Sequence, residues 1–99
     1  MKVFVVEITY RVPWQEIEAE IMEHRILLDK GISDGWILAA GPREPRIGGV
    51  SLVRAESEAA LVEFFARGPY MQKGLADYRF IEFNPLKMQP EFMQWQERT

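Results

Sequence analysis

The sequence predicts an α+β domain of the ferredoxin-like type, in the order β-α-β-β-α-β, with a four-stranded antiparallel sheet. Two segments of helical period alternate with four short runs rich in β-branched and aromatic residues. Glycine and proline mark most of the joins. The first and last runs also carry apolar residues on both of their faces, which a solvated sheet face would not tolerate. Ninety-nine residues, 47% of them hydrophobic, suffice for one domain of this kind and are too few for two.

Lys2 to Thr9 (KVFVVEIT) reads as the first strand. Pro13 suits the first turn of a helix, where its missing N–H costs nothing. The helical period then runs to Lys30, with Gly31 as a left-handed stop. Trp36 to Ala40 is a short buried strand ended by Gly41-Pro42, and a polar connector, Arg43-Glu44-Pro45-Arg46, leads to a third strand from Ile47 to Ala55. Ser57 caps the second helix, with Glu58 in its first turn and Leu61, Phe64 and Phe65 on its buried face. Gly68-Pro69 breaks that helix, and Tyr70 to Lys73 adds one turn before Gly74. Tyr78 to Phe83 is the last strand. Residues 1–85 form the domain, and 86–99 form a tail in which Pro90 starts a short helix carrying Phe92, Met93 and Trp95.

Right-handed crossovers put both helices on one face of the sheet. In the first strand Phe4, Val6 and Ile8 point one way, and Val3 and Val5 the other; in the last, Phe80 opposes Ile81 and Phe83. An apolar face without helices predicts a second copy of the chain packed sheet to sheet, a dimeric α/β barrel, with the tail aromatics extending the interface. The formal charge of -3 argues against nucleic acid as a partner. Without cysteine there is no thiolate chemistry, and with one histidine a metal site would need carboxylates for its other ligands. No cofactor-binding motif is present. No apolar run approaches the roughly 20 residues of a membrane span, and the start lacks the zones of a signal peptide, so a cytoplasmic location is expected.

His24 carries the functional interest. Counting about 100° per residue, Ile17, Ile21, His24 and Leu28 lie within roughly 60° of one another. An imidazole on an apolar stripe is either a hydrogen-bonded core residue or part of a pocket, where it suits acid–base work near neutral pH. A dyad needs a carboxylate, and Glu7, Asp34, Asp77 and Glu82 are the candidates. Arg43 and Arg46 either solubilise a hairpin tip or hold a carboxylate or phosphate. Tyr10 ends its strand at the cleft mouth, Ser51 is a strand hydroxyl, and Gly68-Pro69-Tyr70 forms a kink beside the pocket. Trp14, Trp36 and Trp95 read as packing or interface residues.

These residues together carry a resemblance. KVFVVEITY, EHRILLDKG, ILAAGP, RIGGVSLVRAES and GPYMQKGLADYRFIEFNP, in this order and spacing, resemble the YciI-like family over nearly all of Val3 to Pro85. The resemblance implies a dimeric α/β barrel, a site histidine matched by His24, and an Asp-Pro-Phe/Tyr segment whose aspartate forms a dyad with that histidine. This chain has Gly68-Pro69-Tyr70 there, so the carboxylate is missing. Dehalogenase and isomerase relatives imply small cyclic or unsaturated acids as the ligand class. Three functions stand as expectations: acid–base chemistry on a small organic acid at His24, a dimer that binds such a molecule without turning it over, or a haem-linked monooxygenase of the same barrel class with His24 as axial ligand.

Overall fold

Nine elements make up the computed structural model, which describes residues 1–98: β1 (Lys2–Tyr10), α1 (Trp14–Glu18), α2 (Ile21–Ser33), β2 (Ile37–Pro42), β3 (Gly48–Ala55), α3 (Glu58–Phe65), α4 (Pro69–Gln72), β4 (Ala76–Phe83) and α5 (Pro90–Glu97). The sheet order is β2-β3-β1-β4, with every neighbouring pair antiparallel. This is the ferredoxin-like arrangement expected from the strand and helix order.

The register sets which side chains share a face. Val6 lies opposite Ser51 and Phe80, so Phe4, Val6 and Ile8 belong to the inner face with Val53 and Phe80. Val5 lies opposite Leu52 and Ile81 on the other face. The core fills the inner side: Phe4, Val6 and Val53 pack with Leu61, Phe64 and Phe65 of α3 and with Tyr70 of α4. Ser57 accepts a hydrogen bond from the Ala60 N–H at 3.1 Å and caps α3 as expected.

The long first helix differs from the sequence reading in two places. It is broken at Ala19-Glu20, where Glu20 takes φ -112° and ψ 1° and its carboxylate pairs with Lys73 after α4. The break lets Ile17 turn wholly into the core, while His24, Leu27 and Leu28 of α2 stay half-buried. Gly31 does not end the helix. It lies inside α2, where a Cβ would stand 2.4 Å from Ile37 Cδ1 and 3.0 Å from Phe64 Cζ. Its small size brings the helix onto β2, and the left-handed residue is Gly35, with φ 82°. Gly41 and Pro42 remain within β2, since a proline is tolerated on an edge strand.

The tail folds back on its own chain. The Gly35 carbonyl accepts two hydrogen bonds, from Arg54 Nε at 2.8 Å and from Trp95 Nε1 at 2.9 Å. Arg54, buried on the outer face beside Val3, also donates to the carbonyls of Gln96 and Arg98. The Arg54–Trp95 pair thus covers one end of the outer face. The rest of that face stays open, with Val5, Leu52 and Ile81 half-buried and Val50 and Phe83 exposed. Among the described residues no helix is long and apolar enough to cross a membrane.

Candidate functional site

The inner face of the sheet and α2 do not close completely on each other. Between them lies a cavity of about 220 Å³. Ile8 and Tyr10 of β1 and Gly49, Val50 and Ser51 of β3 form its floor. Ile21, His24, Arg25 and Leu28 of α2 form one wall, Ala40, Gly41 and Pro42 of β2 another, and Tyr70 and Arg46 complete it. The space exists because small residues stand where the helix crosses the strands. Gly49 and Ser51 lie opposite Ile8 and Val6 on the inner face, and Ala40 lies opposite Ser51.

His24 stacks on Tyr70, with ring centroids 4.1 Å apart and planes 14° from parallel. Tyr70 in turn meets Tyr10 edge to face at 6.0 Å. Nδ1 of His24 is buried with no hydrogen-bond partner, and Ser51 Oγ is likewise buried and unpaired. Burial, helped by the neighbouring Arg25 cation, lowers the His24 pKa to about 4. The imidazole is therefore neutral at pH 7. Burial, with the Tyr10 phenol alongside, pushes Tyr70 up to about 12, so it too is neutral.

A stability prediction follows from the depressed histidine. Between pH 6.5 and about 4 the unfolded chain protonates His24 and the folded chain does not, so stability falls as pH falls through that window. The loss is expected to reach roughly 3 kcal/mol at most. Urea denaturation across this range should show it in the wild type and much less in His24→Leu. Parallel pH profiles for the two proteins would contradict it.

Of the residues singled out in the sequence, His24, Tyr10, Ser51, Arg46 and Tyr70 meet at this cavity. Arg43 and Pro69 lie outside its lining. Arg43 Nη1 donates to Thr9 Oγ1 at 3.0 Å, which ties the guanidinium to the neighbouring strand, and Pro69 is buried at the start of α4. None of the four candidate carboxylates lines the cavity: Glu7 is on the outer face, Asp34 pairs with Lys30, Asp77 with Arg11, and Glu82 with Lys2. The sequence reading missed Arg25. It is one residue after His24, and no spacing pattern separates it from an ordinary surface arginine of a helix. Among the described residues no cluster of three or more metal-ligating carboxylate or imidazole groups occurs.

The sequence pattern of the YCII-related domain matches residues 3–84. The chain belongs to the YCII-related family. Among solved structures, this family member is similar to 5-chloro-2-hydroxyhydroquinone dehydrochlorinase from Burkholderia phenoliruptrix AC1100, in complex with 2,5-dihydroxybenzoquinone. Identity is 17% over 84% of this chain and 92% of that one, with a TM-score of 0.60, a likeness of fold. No curated protein matches the sequence.

This YCII-related chain has Gly68 where the resemblance implies a carboxylate. A Cβ on Gly68 would stand 2.7 Å from Leu27 Cδ2 and 3.4 Å from the Phe65 carbonyl oxygen. Leu27 fills that position, and the histidine has the face of Tyr70 as its neighbour.

Proposed function

We propose that the cavity binds a small planar organic acid, with Arg46 and Arg25 facing its negative charge and neutral His24 as the group that exchanges a proton with it. The observation that carries this reading is the charge of the lining: two guanidiniums and no carboxylate, in a chain with more acidic than basic residues. Among the described residues neither arginine has an ion-pair partner. At about 220 Å³ the space is smaller than the roughly 300–1,000 Å³ typical of drug-sized ligands, which suits a single ring. Tyr10, Ser51 and Tyr70 line the site, and the unpaired Ser51 hydroxyl has hydrogen-bonding capacity to offer.

The ligand of the structural neighbour, 2,5-dihydroxybenzoquinone, has this character: a flat ring with two acidic hydroxyls. Titration calorimetry with this compound is expected to show one site per chain, weakened at least tenfold in Arg46→Gln. Absence of binding to the wild type would sink the reading. Chloride release from 5-chloro-2-hydroxyhydroquinone, lost in His24→Ala, would make the site catalytic. Binding without release would favour the second reading, a binding module. The specific observation behind that alternative is a cavity lining with no carboxylate to orient the imidazole.

The same proposal includes pairing of two copies through the open outer face. Four strands of six to nine residues, about 4.8 Å apart and rising about 3.3 Å per residue, present roughly 500 Å² in projection. That is the order of the about 800 Å² each partner contributes to a stable interface. Exposed Leu86 and Met93 of the tail lie available to extend it.

A further inference from the structure

The mouth of the cavity has a feature that its lining alone does not explain. Arg46 lies on the connector before β3, and its guanidinium carbon stands 4.8 Å from the centroid of the Trp14 indole. Trp14 lines no part of the cavity, yet its ring is itself held. Its Nε1 donates to Glu18 Oε2 at 3.1 Å, one turn further along α1, and its ring packs against Tyr10 at 6.3 Å. An aromatic chain therefore runs from Trp14 through Tyr10 and Tyr70 to His24.

An arginine on a loop has many rotamers and loses entropy when a ligand fixes it. A guanidinium held over an indole ring by a cation–π contact is already restricted, and that contact does not consume its N–H donors as an ion pair would. With no carboxylate paired to Arg46 among the described residues, the guanidinium has charge to offer at the mouth.

We propose that Trp14 is a positioning residue: it holds Arg46 over the cavity mouth, so that the site prefers a carboxylate ligand to its neutral counterpart. This rests on the organic-acid reading of the same cavity and adds to it the residue that sets the preference for charge. The stack acts before the ligand arrives, so removing the indole weakens acids and leaves neutral molecules of the same shape alone.

The experiment compares benzoate with benzamide, equal in size and different in charge, by calorimetry on the intact chain. Wild type is expected to bind benzoate at least tenfold more tightly than benzamide. Trp14→Leu should lower benzoate affinity about tenfold and change benzamide less than twofold, with Trp14→Phe falling between. Arg46→Gln should show the same loss, and Trp14→Leu added to Arg46→Gln should cost nothing more. Equal weakening of both compounds by Trp14→Leu would make Trp14 a wall-shaping residue and overturn the proposal, as would unchanged benzoate binding. Wild type that binds both compounds alike overturns the role of Trp14 and leaves the pocket standing. Wild type that binds neither compound overturns the role of Trp14, and the pocket reading falls with it only if 2,5-dihydroxybenzoquinone also fails to bind.

Discussion

Gly48→Ala is expected to destabilise the fold severely. Gly48 opens β3 and lies opposite Thr9 of β1, and its carbonyl accepts the Arg43 N–H that closes the connector. A Cβ there would stand 1.7 Å from the Ile8 carbonyl oxygen and 2.7 Å from the Ile8 carbonyl carbon. These are main-chain atoms of the central strand pair, so no side-chain rotation relieves the overlap. The start of β3 has to peel from β1, giving up ladder hydrogen bonds together with the floor of the cavity at Ile8, Gly49 and Ser51. A cost on the order of 4–5 kcal/mol is reasonable for such a change, against a total stability of about 5–15 kcal/mol for a domain. Gly41→Ala is the control, since a Cβ at Gly41 meets nothing within 4 Å. Thermal and urea unfolding of the two variants should separate them widely. A Gly48→Ala protein melting within a few degrees of wild type would refute the steric argument.

The second large effect concerns assembly. Leu52→Glu is expected to turn a wild-type dimer into a folded monomer. Leu52 lies on the outer face of β3, beside Val5 of β1, near the middle of the four-strand order. It is half-buried in the single chain, so a glutamate there keeps access to water and the protomer folds. In a sheet-to-sheet dimer each copy would bury an unpaired carboxylate against its partner. Breaking a buried ion pair costs about 3–5 kcal/mol for the charge left alone, and two-fold symmetry imposes such a cost twice. That shifts the dimer constant by more than about a thousandfold. Sedimentation at micromolar concentration reads the outcome. A wild type that sediments as a monomer, or a variant that stays dimeric, would remove the outer face from the interface.

Much of the fold is legible in local patterns. The alternation in KVFVVEIT assigns Phe4, Val6 and Ile8 to one face, and the register places them there together with Val53 and Phe80. What is not legible depends on partners distant in sequence. Gly31 has the chemistry of a helix stop, but Ile37 and Phe64 press against it and make it a packing residue within α2. The helix break at Glu20 is tied to Lys73, which no local period announces. The site divides in the same way. His24 is marked by its stripe, whereas Arg43 and Arg46 look equivalent until the connector folds one onto Thr9 and the other onto Trp14. Arg25 and Leu27 become informative only when the cavity and Gly68 are beside them.

The doubly bonded carbonyl of Gly35 gives the long helix a fixed end. Arg54 and Trp95 pin it to the sheet and to the C-terminal helix. One backbone oxygen is thus the junction of three segments distant in sequence, so Trp95→Phe removes a strut from the helix end as well as from the tail.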